Sequence, residues 1–188
     1  QGSVTLGTDG NVSFYMGTDF DDLALGATET VIINYTVADE NNAESNSTIT
    51  VTVTGTNDTP IAVADTGATS ENVDLSFSNA TLTSNDTDVD TGAILKVVAV
   101  ATPAGQGSVT LGTDGNVSFY MGTDFDDLAL ADTETVIIHY TVADENNAES
   151  NATITVTVTG TNDTPIAVAD TGATNENVDL AFSNATLT

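Results

Sequence analysis

Residues 1–83 recur at 106–188, offset by 105 positions, with six differences: Gly26/Ala131, Ala27/Asp132, Asn34/His139, Ser47/Ala152, Ser70/Asn175 and Ser76/Ala181. A period of that length belongs to a whole domain rather than to a solenoid coil. Any fold must therefore close within one period and abut a copy of itself. The Pro-containing stretch "GTNDTP" at 55–60, repeated at 160–165, marks the natural boundary. Residues 61–165 are expected to form one complete unit, 1–60 the later part of a preceding unit and 166–188 the beginning of a following one. The chain opens in mid-pattern at "QGSVTL" and holds 84–105 only once. It reads as a window on a longer array, its end units completed by residues outside it or by neighbouring molecules. Near-identical copies favour a mechanical role: a spacer lengthens with every copy, whereas an enzyme gains little from repeating its active site.

No segment carries a helical period of 3.6, while several alternate strictly. In "STITVTVT", Ile49, Val51 and Val53 point one way and Thr48, Thr50, Thr52 and Thr54 the other. In "TVIINYTV", Val31, Ile33, Tyr35 and Val37 are core-facing, leaving Ile32, Asn34 and Thr36 outside. "GSVTLGTDGNVSFYM" reads as a hairpin, with Asp9-Gly10 or Asp114-Gly115 supplying the positive φ angles of a tight turn. A second hairpin joins "VIIHYTV" to "ATITVTV" through "ADENNAES". Strands near 61–65, 72–77, 94–100, 107–111, 116–121, 135–143 and 152–160 predict an all-β, immunoglobulin-like sandwich in tandem repeats. Phe77, Phe119, Tyr120, Phe125 and Tyr140 supply the bulk of a core that has no Trp.

Charge then narrows the partners. One base, Lys96, faces 28 acids, for a net charge of −27. Nucleic acid and anionic membrane surfaces would repel such a body. Disorder is the bland reading of so acidic a chain, but β-branched runs such as "ILKVVAV" argue for folding with the help of cations. With no Cys there is neither a disulfide framework nor a thiolate metal site. No stretch of 18 apolar residues predicts insertion into a membrane.

The acids cluster in loops. "SNDTDVDTG" sets Asp86, Asp88 and Asp90 at alternate positions, a spacing that converges carboxylates on one ion. It is not an EF-hand, since Thr91 and Val97 stand where that loop needs Gly and Glu. "GTDFDDLAL" offers Asp124, Asp126 and Asp127, and in the earlier copy Asp19, Asp21 and Asp22. "ADENNAES" offers Asp144, Glu145 and Glu149, and in the earlier copy Asp39, Glu40 and Glu44. The linker contributes Asn57 and Asp58, followed by Asp65 and Glu71, and its repeat Asn162, Asp163, Asp170 and Glu176. A solvated surface is the ordinary explanation of one acidic loop. Several such loops with one Lys and no Arg cannot be neutralised by salt bridges, and two carboxylates ~4 Å apart repel by about 1 kcal/mol even in water. Several Ca²⁺ ions per repeat are expected, at least one at the linker. Mg²⁺ suits the loops less, because it demands octahedral geometry and keeps its waters. Without an ion the linker is a hinge; with one it becomes a strut.

"VTGTNDTPIAVADTGATSEN", "SNDTDVD", "GSVTLGTDGNVSFY" and "TITVTVTGTND", in that order, resemble the tandem cadherin-like (VCBS-type) bacterial Ig repeats of giant RTX adhesins. The resemblance covers the whole chain. It implies calcium-rigidified extender modules that project an adhesive tip from a bacterial cell surface after secretion, the target being bound elsewhere in the full protein and the adjacent repeats being the immediate partners. The cadherin linker reads D-x-N-D-N-A-P: Asn57 and Asp58 match its N-D pair, Gly55 stands in place of its first Asp, and the linker is one residue shorter. Glu71 resembles the acid that cadherins supply from the start of the next domain, and Asp86 and Asp88 resemble their D-x-D. The glycine-rich RTX nonapeptides do not occur in this stretch.

Rival readings fare less well. "ADTGAT" at 64–69 and 169–174 copies the Asp-Thr-Gly of aspartic proteases, but Asp65 falls on a first strand just after a linker, with no glycine-rich flap. The Thr ladder at 48–56 gives one rank of Thr, not the two-dimensional array that ice contact needs, and outward Thr is ordinary β propensity. His139 falls on an outward strand position whose counterpart is Asn34, so it is not expected to be catalytic. Sequons such as "NVS" and "NAT" follow from Asn/Thr-rich composition. The remaining alternative is a calcium-dependent carbohydrate- or protein-binding module, which requires an exposed aromatic beside a calcium loop; Phe125 in "DFDD" is its candidate.

Overall fold

The computed structural model describes residues 2–102 and 104–183. Its centre is a sandwich of two sheets. One has the order β5 (Asp65–Ser70), β11 (Glu149–Thr159), β10 (Thr133–Ala143), β7 (Lys96–Ala101); the other has the order β6 (Leu75–Phe77), β9 (Val117–Tyr120), β8 (Ser108–Leu111). All pairings are antiparallel except β5 with β11, which run parallel from Ile154↔Asp65 to Thr159↔Ser70. Before the sandwich lie two two-stranded ribbons, β1 (Ser3–Leu6) with β2 (Val12–Tyr15) and β3 (Thr28–Ala38) with β4 (Glu44–Thr54). These are the counterparts of β8, β9, β10 and β11, one period earlier.

Alternation builds the core. Val136, Ile138, Tyr140 and Val142 of β10 and Ile154, Val156 and Val158 of β11 point inward and are buried. They meet Val117 and Phe119 from the facing sheet, and Phe125, which stands edge-on to Phe119 at 6.3 Å. Burial of each such side chain contributes roughly 1.5–3 kcal/mol. Tyr120, expected in this core, points outward instead, as the strand period requires of the neighbour of Phe119. Ile32 is exposed as expected, but Val37 and Ile49 are exposed too, because the N-terminal ribbons pack on each other without, among the described residues, counterparts of β5, β6, α1 and β7.

Three further expectations are corrected. The first strand does not span 61–65: Ile61 makes only an isolated bridge to Thr87, and pairing with β11 begins at Asp65. The second covers Leu75–Phe77 rather than 72–77, because residues up to 74 form the turn closed by the Val73 N–H on the Ser70 carbonyl. At Asp9-Gly10 and Asp114-Gly115 only the glycines take positive φ (84° each). Gly7 and Gly112 close three-residue loops with Gly in the left-handed position, not two-residue turns. One helical turn, α1 (Asn79–Leu82), was not foreseen; Ser78 caps it by accepting the Thr81 N–H, and it drives Leu82 into the core.

Candidate functional site

The acidic loops gather at the two ends of the sandwich. At the first end, the linker crosses the loop between α1 and β7. The Asp58 N–H donates to Asp90 Oδ2 (3.0 Å), and the Asp90 N–H donates to Asp88 Oδ1 (2.9 Å). The Asn57 amide donates to Asp144 Oδ2 (2.7 Å) in the β10–β11 turn, and Asn146 Nδ2 donates to Asn57 Oδ1 (2.5 Å). The loop of the N-terminal ribbons reaches the same place, where the Asp22 carbonyl accepts the Thr91 N–H (3.0 Å). Asp86, Asp88 and Asp90 line one pocket of about 400 Å³. Linker, preceding loop and following sandwich thus meet around three carboxylates.

At the opposite end stands Glu71, only 1% exposed. Its Oε1 accepts both the N–H (2.6 Å) and the hydroxyl (2.5 Å) of Thr161. Glu71 follows the first linker in sequence, yet β5 carries it the length of the sandwich to the second linker. That placement differs from the expected one.

Asp65 stands beside the first cluster, close enough for its charge to act on Asp86. Its Oδ2 lies 2.8 Å from the Tyr140 hydroxyl, which also lies 2.9 Å from the Val63 carbonyl. Burial, then the Asp65 hydrogen bond and the charges of Asp65 and Asp86, hold that phenol protonated well above its ordinary range. The Asp65 of "ADTGAT" is thus tied to a phenol in the sandwich. Burial also raises the Asp86 carboxyl, against the lowering effect of the Val63 N–H, with Asp65 pushing it further up. Burial pushes Asp144 up as well, but the Asn57 amide and the N–H groups of Ala148, Asn146 and Asn147 outweigh it and leave Asp144 below the usual range.

Other candidates do different work. Asp39 and Asp144 accept N–H groups two and four residues on (Asn41 and Ala43; Asn146 and Ala148), shaping their own turns. Asp19 and Asp124 accept the N–H of Gly2 and Gly107 and tether the following loop to the hairpin. Glu145 accepts the Ile94 N–H. Asp21, Asp126, Asp127, Glu40, Glu44, Glu149, Asn162, Asp163, Asp170 and Glu176 are exposed. Phe125 is 1% exposed and belongs to the core, so it offers no stacking face to a sugar. His139 lies on the outer face of β10. Thr161, which fixes Glu71, and Tyr140, which fixes Asp65, carried no acidic signal and were not among the candidates.

Among the described residues no three His, Asp or Glu side chains close into a ready-formed metal centre. Four buried carboxylate oxygens nevertheless have no hydrogen-bond partner: Glu71 Oε2, Asp86 Oδ2, Asp88 Oδ2 and Asp90 Oδ1. Leaving such an atom unsatisfied costs about 1–3 kcal/mol, more when charged. Hard anionic oxygens, unpaired and grouped beside carbonyls and amides, fit a hard divalent cation of the calcium type.

Fold and ends together define a β-sandwich repeat with acidic joints. The family model of the bacterial cadherin-like domain matches residues 57–160, and the chain belongs to that family. Cadherin-like domains are extracellular, adhesion-type modules and not an enzyme family. Among solved structures, the extracellular domains 1–4 of Drosophila N-cadherin are similar at 18% identity and a TM-score of 0.54, with 84% of this chain and 39% of that one covered. Extracellular domains 22–24 of mouse cadherin-23 are similar at 12% identity and a TM-score of 0.46, with 85% of this chain and 50% of that one covered. The chain thus spans half or less of each, and the likeness to the N-cadherin domains concerns the fold alone. No curated protein matches. No helix of the described residues is long and apolar enough to cross a membrane.

Proposed function

We propose that this chain is a calcium-rigidified extender of a large bacterial cell-surface adhesin of the RTX type. Residues 61–165 are one complete repeat, 1–60 the later part of one and 166–188 the beginning of another. The adjacent repeats are its immediate partners, and the adhesive target is bound elsewhere in the secreted protein. The observation that carries this reading is the buried Asp90, 5% exposed, with Oδ1 unpaired beside Asp86 and Asp88 at the point where the linker crosses.

Asp86, Asp88 and Asp90 would hold the ion at the first joint, with Asn57 and Asp58 from the linker nearby; Glu71 would serve the second joint. Bound Ca²⁺ supplies positive charge and oxygen coordination. The chain's own part is to fix the donors. Asp58 N–H pins Asp90, Asp90 N–H pins Asp88, Val63 N–H pins Asp86, and the Asn57–Asp144 and Asn146–Asn57 bonds hold the linker against the turn. Each pinned carboxylate keeps one oxygen free, so the joint is organised but electrostatically uncomfortable until a cation arrives.

Small-angle scattering and thermal unfolding with calcium and with chelator test this. Chelation is expected to lower Tm and broaden the distribution of end-to-end distances. Identical scattering profiles and melting curves in the two conditions would refute it.

A further inference from the structure

Tyr120 is the aromatic that the core does not take. On β9, Val117 and Phe119 point inward, each 0% exposed, so Ser118 and Tyr120 stand on the outer face of the β6–β9–β8 sheet, Tyr120 at 41%. The register sets Ser108 of β8 directly across from Tyr120, with Ser118 and Thr110 as the next pair along the same face. On the other side Leu75 pairs with Phe119, which brings Asp74 level with Tyr120.

Two carboxylates are fixed beside that ring by the backbone. Asp74 Oδ1 accepts the N–H of Met121, the residue after Tyr120 (3.1 Å), and Asp124 Oδ2 accepts the N–H of Gly107, the residue before Ser108 (2.8 Å). Both side chains are exposed, and the second oxygen of each has no hydrogen-bond partner among the described residues. The earlier copy repeats the arrangement: Tyr15, 56% exposed, lies across from Ser3, and Asp19 Oδ2 accepts the Gly2 N–H (2.6 Å). A flat ring set among anchored carboxylates and hydroxyls narrows the ligand. The face of a Tyr ring takes C–H surface while its tip stays polar. Ionised carboxylates only accept hydrogen bonds, so the ligand must bring O–H or N–H donors around an apolar face. The ring's neighbours along β8 and β9 on this face are Ser108, Ser118 and Thr110, so the apolar surround of a protein interface is missing. A polyanion is repelled by the net charge of −27. A neutral sugar offers the required combination, a C–H face edged by hydroxyls.

We infer that Tyr120, with Asp74, Asp124 and Ser108, is a platform for one sugar unit of a neutral polysaccharide, and that Tyr15 is its counterpart one period earlier. The ring stacks on the C–H face of the sugar, and the two pinned carboxylates and the Ser108 hydroxyl take its hydroxyl groups. A shallow platform of this kind binds weakly by itself. One platform per repeat, meeting a polymer of repeating sugars, gains by multivalency, by up to about 10²–10⁴. None of these contacts needs a metal ion, so the inference stands apart from the calcium reading.

The test is affinity electrophoresis of the full chain in native gels that contain dextran, laminarin or galactomannan, with hyaluronan as the polyanionic comparison, each run with calcium and with chelator. At least one of the three neutral polymers is expected to retard the protein in both conditions, and hyaluronan is not. Tyr15→Thr combined with Tyr120→Thr should migrate as in a plain gel with its melting curve unchanged, since Thr keeps the β propensity and removes only the stacking face. Asp74→Asn keeps an oxygen for the Met121 N–H and should weaken retardation about tenfold, through loss of a hydrogen bond to a charged acceptor. Free migration in all three neutral polymers overturns the inference. So does retardation that survives the double Tyr substitution, or retardation by hyaluronan as strong as by the neutral polymers.

Discussion

Replacing Asp90 by Asn separates a metal ligand from a structural carboxylate. Asn keeps the size and the oxygen that accepts the Asp58 N–H, and replaces the unpaired, charged Oδ1 by a neutral NH₂. With chelator, that charge sits buried in a pocket with Asp86 and Asp88. Repulsion of about 1 kcal/mol for each neighbour within ~4 Å, and more where water is excluded, is relieved by the substitution. Asp90→Asn should therefore melt at or above the wild-type temperature under chelation. With calcium the sign reverses. A site of Kd ~10⁻⁴ M at tenfold higher calcium adds about 1.4 kcal/mol, and for a domain of this size 1 kcal/mol shifts Tm by roughly 4–8 °C. The wild type should gain about 6–11 °C from each such site, and Asp90→Asn should lose most of that gain at its site. Differential scanning calorimetry of both proteins in both conditions is the assay. If Asp90→Asn lowers Tm equally with and without calcium, Asp90 is a structural residue and the reasoning fails.

Tyr140→Phe leaves the ring in place but strips Asp65 and the Val63 carbonyl of their shared donor; a loss of about 1–3 kcal/mol is expected in urea unfolding, and an unchanged midpoint would refute the role of the hydroxyl. In chelator, carboxyl ¹³C NMR should show Asp144 titrating below the ordinary 3.8 and Asp86 above it; the opposite order would contradict the assigned environments. The signs of their contributions differ accordingly. The stability that Asp144 adds is present above the ordinary carboxyl range and lost as pH falls through its lowered folded value, whereas that of protonated Asp86 is complete below the ordinary value and lost as pH rises through its raised one.

Much of the sandwich is legible because its inward residues are apolar and its outward ones are Thr, Asn and Ser. Val136 through Val142 and Ile154 through Val158 needed only the period of two. β5 escapes this reading. "DTGATS" has small, polar residues on both faces and is held by its ladder to β11, a pairing across some ninety positions that local pattern does not encode. The single turn at Asn79–Leu82 is too short to display a helical period. At the joints the acids were visible, but their division of labour was not. Sequence does not distinguish Asp144, whose oxygens are largely spent on its own turn, from Asp90, which keeps one free. Nor does it show that six residues of strand convey Glu71 to the opposite joint.

The parallel course of β5 and β11 has a mechanical consequence. The chain enters the sandwich close to β5 and leaves it from β11, at opposite ends, so tension on the two linkers slides these strands lengthwise past each other. Their rungs must then yield together, in shear, instead of opening one by one like a zipper.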